Sequence, residues 1–174
     1  MTVEVSSVPL PSATVDAAPS TAAVAGHPIH PMIVPLPIGM LASAAISDLV
    51  AMNGGGKFWT RASRLLLRGG LITGAMAGVF GAIDFLTIEQ ARRPEGWIHA
   101  SGNATVLGLT AANLAIRGDD ERVPFVGALL TVATATLLLL TGWMGGELSY
   151  RHRVGITARR QGEVVGTNEE IALA

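Results

Sequence analysis

The chain has 174 residues, of which 49% are hydrophobic and 14% are charged. Soluble domains usually carry about a quarter charged residues, so this composition is typical of an integral membrane protein. The net charge of −1 and the lack of any basic run exclude the electrostatic surface that nucleic-acid binding needs. The absence of cysteine excludes disulfides, thiolate metal sites and cysteine-ligated iron–sulfur clusters.

Both ends of the chain are predicted to be tails. Residues 1–25 are rich in Ala, Ser, Val, Thr and Pro and contain no Lys or Arg. A secretory signal peptide begins with a basic region, so this segment predicts a disordered tail instead. Residues 156–174 predict a polar C-terminal tail. Residues 26–155 between them predict a single transmembrane domain.

Four apolar stretches predict four membrane-spanning helices, because a spanning helix needs about 20 apolar residues. We place the helices at Pro31–Met52, Leu65–Leu86, Trp97–Ile116 and Val123–Trp143. The second stretch is bracketed by Arg68 and Asp84, but Arg68 can extend its charged end to the lipid headgroups. The predicted fold is an all-α integral membrane four-helix bundle.

A weak internal repeat divides the predicted bundle into two halves. GHPIHP at 26–31 and GWIHAS at 96–101 align at Ile-His, and each opens a predicted helical hairpin. Each hairpin closes with a glycine-bearing stretch and an acid, Asp84 or Glu147. Two parallel hairpins related by an axis along the membrane normal would put His30 opposite His99 and Asp84 opposite Glu147.

The histidines are predicted to gather at one membrane surface. With four spans, the first helix starts, the second ends, the third starts and the fourth ends at the same face. Imidazole is the commonest neutral ligand for transition metals and a frequent axial ligand of haem. This face therefore predicts a metal or haem site. Its candidate ligands are His27, His30, His99, His152, Asp84 and Glu147.

Two geometries remain open for that site. A b-type haem would take one histidine from each of two helices, with His30 and His99 as the first pair and His27 or His152 as a replacement. A non-haem transition metal such as Zn, Cu or Fe would use three histidines and one acid. Its ligands would be His27 or His30, then His99 and His152, with Asp84 or Glu147 completing the set.

The histidine face predicts an electron-transfer module with haem b or a non-haem metal, which implies a redox partner protein besides the lipid bilayer. The alternative is a membrane scaffold or accessory subunit without a cofactor, whose histidines cap helix starts. A homo-oligomer is compatible with either. A small transporter ranks last, because its mid-depth polar residues are few. They are Thr73, Thr110, Thr134 and Thr136.

No motif specifies an enzyme. The string NGGGK at 53–57 lacks the Ser or Thr that follows the lysine of a phosphate loop, and its glycines predict a flexible connector instead. Asp48 lies five helical turns from His30, near the opposite surface, where we expect it to pair with Arg64 or Arg68.

The histidine face is predicted to lie outside the cytoplasm, in a multi-pass protein of the cell membrane. Lys and Arg near the spans tie at six on each side, so their order along the chain decides. Nothing before the first span is basic, whereas the loop after it carries Lys57, Arg61 and Arg64. The basic residues from Arg151 to Arg160 argue for the reverse orientation.

Four segments carry a family resemblance: GHPIHPMIVPLPIG at 26–39, GAIDFLTI at 81–88, WIHASGN at 97–103 and GWMGGELSYRHRVG at 142–155. Together they resemble the bacterial transmembrane family catalogued only as domain of unknown function 2231, over roughly residues 26–155. The HPxHP opening and the GGELxYRHxVG close are specific as a pair, although Arg153 stands where glycine is expected. Some members of that family are fused to Rieske-type or cytochrome-type domains. The resemblance therefore implies a redox neighbourhood but names no activity.

Overall fold

The computed structural model describes residues 17–118 and 121–156, and these are almost entirely helical. A two-residue antiparallel pair, β1 (Ala23–Val24) and β2 (His27–Pro28), precedes the first helix. The helices are α1 (Ile29–Ile33), α2 (Pro35–Val50), α3 (Gly56–Thr87), α4 (Pro94–Arg117) and α5 (Phe125–Gly146). A short 3₁₀ helix (Glu89–Arg92) and a π-helical turn (Glu147–Arg151) follow α3 and α5.

α1 and α2 together correspond to the first predicted span. Pro35 begins α2, where its missing N–H removes no helical hydrogen bond, because first-turn amides have no acceptor within their own helix. Val34, between the two helices, keeps helical dihedral angles (φ −49°, ψ −36°) and donates its N–H to the His30 carbonyl at 3.1 Å. The chain therefore stays helical across this proline-rich junction.

A tight reversal joins α2 to α3. Asn53 (φ −93°, ψ 26°) and Gly54 (φ 94°) leave the helical region. Gly56 then has φ 74°, a conformation that side chains bearing a Cβ rarely adopt. The glycines predicted as a connector provide this reversal.

The long helices pack as neighbours in two antiparallel pairs. On α2 and α3, Gly70 lies against Leu41 while Ala77 accepts a hydrogen bond from His30, so later residues of α3 meet earlier residues of α1 and α2. α4 and α5 pack in the same antiparallel manner. The two pairs contact each other through α3 with α4 and through α2 with α5.

Most buried residues of each long helix alternate at spacings of three and four, the period of a helix face that packs on other helices. The members of these stripes are Pro37, Leu41, Ala44 and Asp48 on α2; Ser63, Leu67, Gly70, Ala77 and Asp84 on α3; Val106, Thr110, Asn113 and Arg117 on α4; and Gly127, Thr131, Thr134 and Thr141 on α5. These stripes are mainly apolar on α2 and α3 and mainly polar on α4 and α5, although Ser47 and Thr60 are also buried on the first two helices.

The outward faces carry large apolar side chains, including Leu65, Leu139 and Trp143 at 71%, 77% and 74% exposure. Among the described residues, two helical segments are long and apolar enough to cross a membrane. They are Ile29–Thr87, which contains the reversal at Gly54, and Phe125–Arg151. α4 is not among them, and its inward stripe is polar. An all-α chain with apolar outward faces is typical of a membrane protein.

Part of the predicted N-terminal tail makes defined contacts. Ala18 N–H donates to the Arg153 carbonyl at 3.3 Å, and Gly155 N–H donates to the Ala18 carbonyl at 2.7 Å. These two hydrogen bonds join Ala18 to the segment that follows α5. The other expectations about the tails fall on residues 1–16 and 157–174, which lie outside the described residues.

Candidate functional site

His30 lies in the first turn of α1 and is half-buried against α3. Its Nδ1 lies 2.8 Å from the carbonyl oxygen of Ala77. A Cβ added to Gly81, one turn further along α3, would come within 2.9 Å of the His30 ring. Glycine at position 81 therefore makes the room that the imidazole occupies.

His99 occupies the corresponding place in the second helix pair. It lies in α4, and its Nδ1 is 2.8 Å from the carbonyl oxygen of Thr141 on α5. A Cβ added to Gly145 would come within 2.8 Å of the His99 ring. Each histidine thus bonds a carbonyl four residues before the glycine that accommodates its ring.

The two imidazoles lie next to each other. The ring centres of His30 and His99 are 6.3 Å apart, with an interplanar angle of 88°. A backbone carbonyl can only accept a hydrogen bond, so each Nδ1 carries a proton and donates it. In the neutral ring the Nε2 is then the nitrogen with the free lone pair.

Asn103, one turn beyond His99, contacts the same site. Its Nδ2 donates to the His99 carbonyl at 2.8 Å and lies 3.3 Å from the His99 Nε2. Its Oδ1 accepts from the Thr141 hydroxyl at 3.3 Å. The amide therefore ties the start of α4 to α5 beside the second ring.

The other two predicted histidine ligands do not join the pair in a larger group. His27 is exposed on β2, with its Nδ1 3.0 Å from the Ala25 carbonyl. His152 follows the π-helical turn and is half-buried. Within the part of the chain that the structure describes, no three His, Asp or Glu side chains come together as a metal-binding group.

Asp84, one of the two predicted acids, accepts hydrogen bonds from the segment that precedes β1. Its carboxylate accepts hydrogen bonds from the Ser20 hydroxyl at 2.9 and 2.7 Å, from the Thr21 N–H at 2.9 Å and from the Ala22 N–H at 3.0 Å. The Thr21 hydroxyl adds a contact at 3.1 Å. Asp84 therefore holds the segment before β1 on the end of α3. The sequence pattern could not show this, because two of the donors are backbone amides.

Glu147, the second predicted acid, begins the π-helical turn after α5. It accepts a hydrogen bond from Arg151 at 2.5 Å, within one helical turn on the surface. His30 contacts the Ala77 carbonyl, and Asp84 lies seven residues after Ala77. His99 contacts the Thr141 carbonyl, and the residue seven positions after Thr141 is Leu148. The two acids are thus not equivalent in their contacts.

At the other end of the bundle, Asp48 of α2 forms a buried ion pair with Arg117 of α4. The side chains are 4% and 1% exposed, respectively. The prediction that Asp48 pairs with Arg64 or Arg68 is therefore wrong. Arg117 reaches Asp48 because both occupy the inward stripes of their helices, and a buried carboxylate needs a buried cation.

The guanidinium of Arg117 is surrounded by further acceptors from three helices. Its N–H groups donate to Ser63 Oγ at 3.0 Å, Asn113 Oδ1 at 2.7 Å and Thr131 Oγ1 at 2.8 Å. Asn113 in turn donates to Thr131 at 2.7 Å. Asp48, Arg117 and their partners therefore form one hydrogen-bonded network, which connects all four long helices.

One signal in the sequence could have found this pair. Asp48 lies eighteen residues after His30, and Arg117 lies eighteen residues after His99. Eighteen residues are five helical turns, so in each half the charge lies on the same helix face as its histidine.

Comparison with known proteins gives one family and no close relative. A family model described as predicted membrane protein (DUF2231) matches residues 26–158. No curated protein and no solved structure matches the chain. The matched span contains both inward histidines, both charges of the buried ion pair and all five helices. The chain belongs to this family of predicted membrane proteins.

Proposed function

We propose that the chain is an integral membrane module of four spanning helices, arranged as two parallel hairpins, that holds a redox-active transition metal between His30 and His99. The metal is a single ion or the iron of haem b, and the module transfers electrons. The histidine end lies outside the cytoplasm. The apolar outward faces and the family description support the membrane part of this proposal.

The observation that carries the proposal is that both imidazoles make the same hydrogen bond to the backbone. Each Nδ1–H is donated to a backbone carbonyl at 2.8 Å. The nitrogen of a metal-binding histidine that does not bind the metal usually donates its N–H to such an acceptor, which fixes the tautomer and the ring orientation. Here that arrangement occurs twice, on two neighbouring rings whose planes are perpendicular.

The separation of the rings suits one ion with two ligands. A metal–imidazole bond of about 2.0–2.1 Å puts two rings on opposite sides of one ion with centres roughly 6–6.5 Å apart. The observed ring centres are 6.3 Å apart. A porphyrin would also need a flat space around the ion, whereas the rings lie directly on Gly81 and Gly145. The geometry therefore favours a single ion over haem b.

The scaffold alternative is favoured by the same hydrogen bonds. The bond from His30 to Ala77 joins α1 to α3, and the bond from His99 to Thr141 joins α4 to α5. Each bond contributes about 0.5–1.5 kcal/mol in a typical protein interior. On this alternative the imidazoles connect helices and bind nothing.

Asparagine at positions 30 and 99 separates the two functions. An Asn amide nitrogen takes the place of histidine Nδ1, so His30→Asn and His99→Asn retain a donor to the carbonyl but remove Nε2. His30→Ala and His99→Ala remove both. For a metal site, both pairs of variants lose the metal, measured by elemental analysis and visible absorption, while the Asn variants keep most of the thermal stability in detergent.

Wild-type protein expressed with haem, copper and iron available provides the reference. If it carries neither metal nor haem, and only the Ala variants lose stability, the metal proposal fails and the scaffold function stands. If it carries metal that the Asn variants retain, the site lies elsewhere and the proposal fails as well.

A further inference from the structure

The histidine pair offers two ligands and no negative charge. Each ring contacts a backbone carbonyl through Nδ1, which leaves Nε2 as the nitrogen that can bind a metal. The described residues contain no three-residue group of His, Asp or Glu around the two rings. Asn103 is a further polar side chain beside His99, and its carbonyl oxygen already accepts from the Thr141 hydroxyl at 3.3 Å. The described side chains therefore offer an ion between the rings two nitrogen ligands.

We propose that the ion is copper(I), bound in a line between the two Nε2 atoms. This inference rests on the proposed function and names the metal for it in its reduced form. Loss of one electron from copper(I) leaves copper(II), which two imidazoles hold less well, so the site favours the reduced form of the couple. Copper(I) has a filled d shell and is stable with two ligands. Zinc in proteins takes four ligands, and copper(II) prefers a square-planar or tetragonal set.

Charge favours a monovalent ion at this place. Burying an uncompensated charge in a medium of low dielectric constant is costly, and the Born cost rises with the square of the charge. Two imidazole ligands carry no negative charge that would offset the charge of the ion. A monovalent ion therefore has about a quarter of the desolvation cost of a divalent one.

Asn103 does not oppose ligation. Its Nδ2 lies 3.3 Å from His99 Nε2, the length of a weak contact, and donates to the His99 carbonyl at the shorter distance of 2.8 Å. When Nε2 binds a metal, the amide keeps its stronger hydrogen bond. The lone pair of His99 is thus released at little cost.

The two glycines give a test that leaves the ligands unchanged. A Cβ at position 81 would come within 2.9 Å of the His30 ring, and a Cβ at 145 within 2.8 Å of the His99 ring. Gly108, on the outward side of α4, has open space around it and provides the matched control. Gly81→Ala and Gly145→Ala should therefore displace one ring, and Gly108→Ala should not.

The experiment is an anaerobic titration of the full-length detergent-purified protein with copper(I), in competition with a chromogenic copper(I) chelator. We expect one copper(I) per chain, lost in His30→Asn and in His99→Asn. Gly81→Ala and Gly145→Ala should weaken binding by about ten- to a hundredfold, the usual effect of disturbing the shell that orients a metal ligand. Gly108→Ala should bind like wild type.

Cobalt(II) and haem are titrated in parallel to separate the two levels of the proposal. Binding of either one that His30→Asn abolishes, without copper(I) binding, overturns the copper(I) inference and leaves the proposed function standing. Failure of copper(I), cobalt(II) and haem alike overturns both. Copper(I) binding that survives both Asn variants also overturns the inference, because the ion is then held elsewhere.

Discussion

Asp48 and Arg117 form an ion pair at one end of the bundle. Asp48 lies eighteen residues after His30, and Arg117 lies eighteen residues after His99. The rings of these two histidines are adjacent at the other end of the bundle. The same helix face in each half thus begins with an imidazole and ends with a charge. The charges are opposite, so the two halves attract where they meet. This relationship joins the candidate site to the network that holds the helices together.

The ion pair gives the first prediction. Arg117→Ala should destabilise the fold by about 3–5 kcal/mol, because it leaves the Asp48 carboxylate buried without its cation. Asp48→Ala should have a comparable effect for the converse reason. Thermal unfolding in detergent measures both.

Two controls test whether the loss of stability arises because the ion pair is buried. The double variant Asp48→Leu/Arg117→Met should be less destabilised than either single variant, since no uncompensated charge remains. Lys57→Met removes an exposed ion pair with Glu121 and should leave the unfolding temperature nearly unchanged. Equal losses in all of these variants would contradict the account of the buried pair.

Asp84 gives a prediction about the N-terminal segment. Asp84→Ala removes the acceptor of the Thr21 and Ala22 amides and should accelerate hydrogen exchange at both positions. Glu147→Gln, at the acid that pairs only with Arg151 among the described residues, should leave that exchange unchanged. Unaltered protection in Asp84→Ala would mean that other contacts hold the segment.

Glu121 gives a prediction about pH. The side-chain hydrogen bond from Lys57, with a smaller charge effect of Arg61, lowers the pKa of Glu121 below its ordinary value. Because the pKa of Glu121 is lower in the folded than in the unfolded chain, the pairing stabilises the fold at pH values above the unfolded-state pKa. This stabilisation is lost as the pH falls through the folded-state pKa. Lys57→Met should therefore raise the pKa of Glu121, measured by its side-chain carboxyl NMR shift. High salt should have the same direction of effect.

Topology gives a prediction about the ends of the chain. The four proposed spans would put both termini on one side, so cysteines introduced at Ser7 and Gly166 should react equally with an impermeant reagent. Opposite accessibility would exclude an even number of spans. Alkaline phosphatase fused after Ala174 should be active if the histidine end is outside, whereas a fluorescent cytoplasmic reporter at the same place would indicate the reverse.

Much of the fold could be predicted from the sequence, because charged residues and prolines divide the apolar stretches. The span predicted at Leu65–Leu86 lies within α3, which begins nine residues earlier, at Gly56. The earlier start could not be predicted, because Lys57 and Arg61 are as compatible with a helix outside the apolar region as with a loop. The alignment at Ile-His likewise paired His30 with His99, whose rings are adjacent.

The partners of the acids could not be predicted in the same way. Asp48 was matched to basic residues near it in sequence, but its partner is sixty-nine residues away on another helix. Asp84 is satisfied mainly by Ser20 and by backbone amides, and amides leave no mark in a pattern of side chains. Hydrogen-bond partners depend on tertiary packing, which a single sequence specifies only through its spacing.

The central claim is that one metal lies between His30 and His99. X-ray absorption at the metal edge, on wild-type protein purified with its metal, tests this claim most directly. We predict two imidazole nitrogens per metal, recognised by the outer-shell scattering of the rings, and no metal in the His30→Asn/His99→Asn double variant. A metal coordinated only by oxygen or sulfur, or one unchanged in the double variant, would contradict the account.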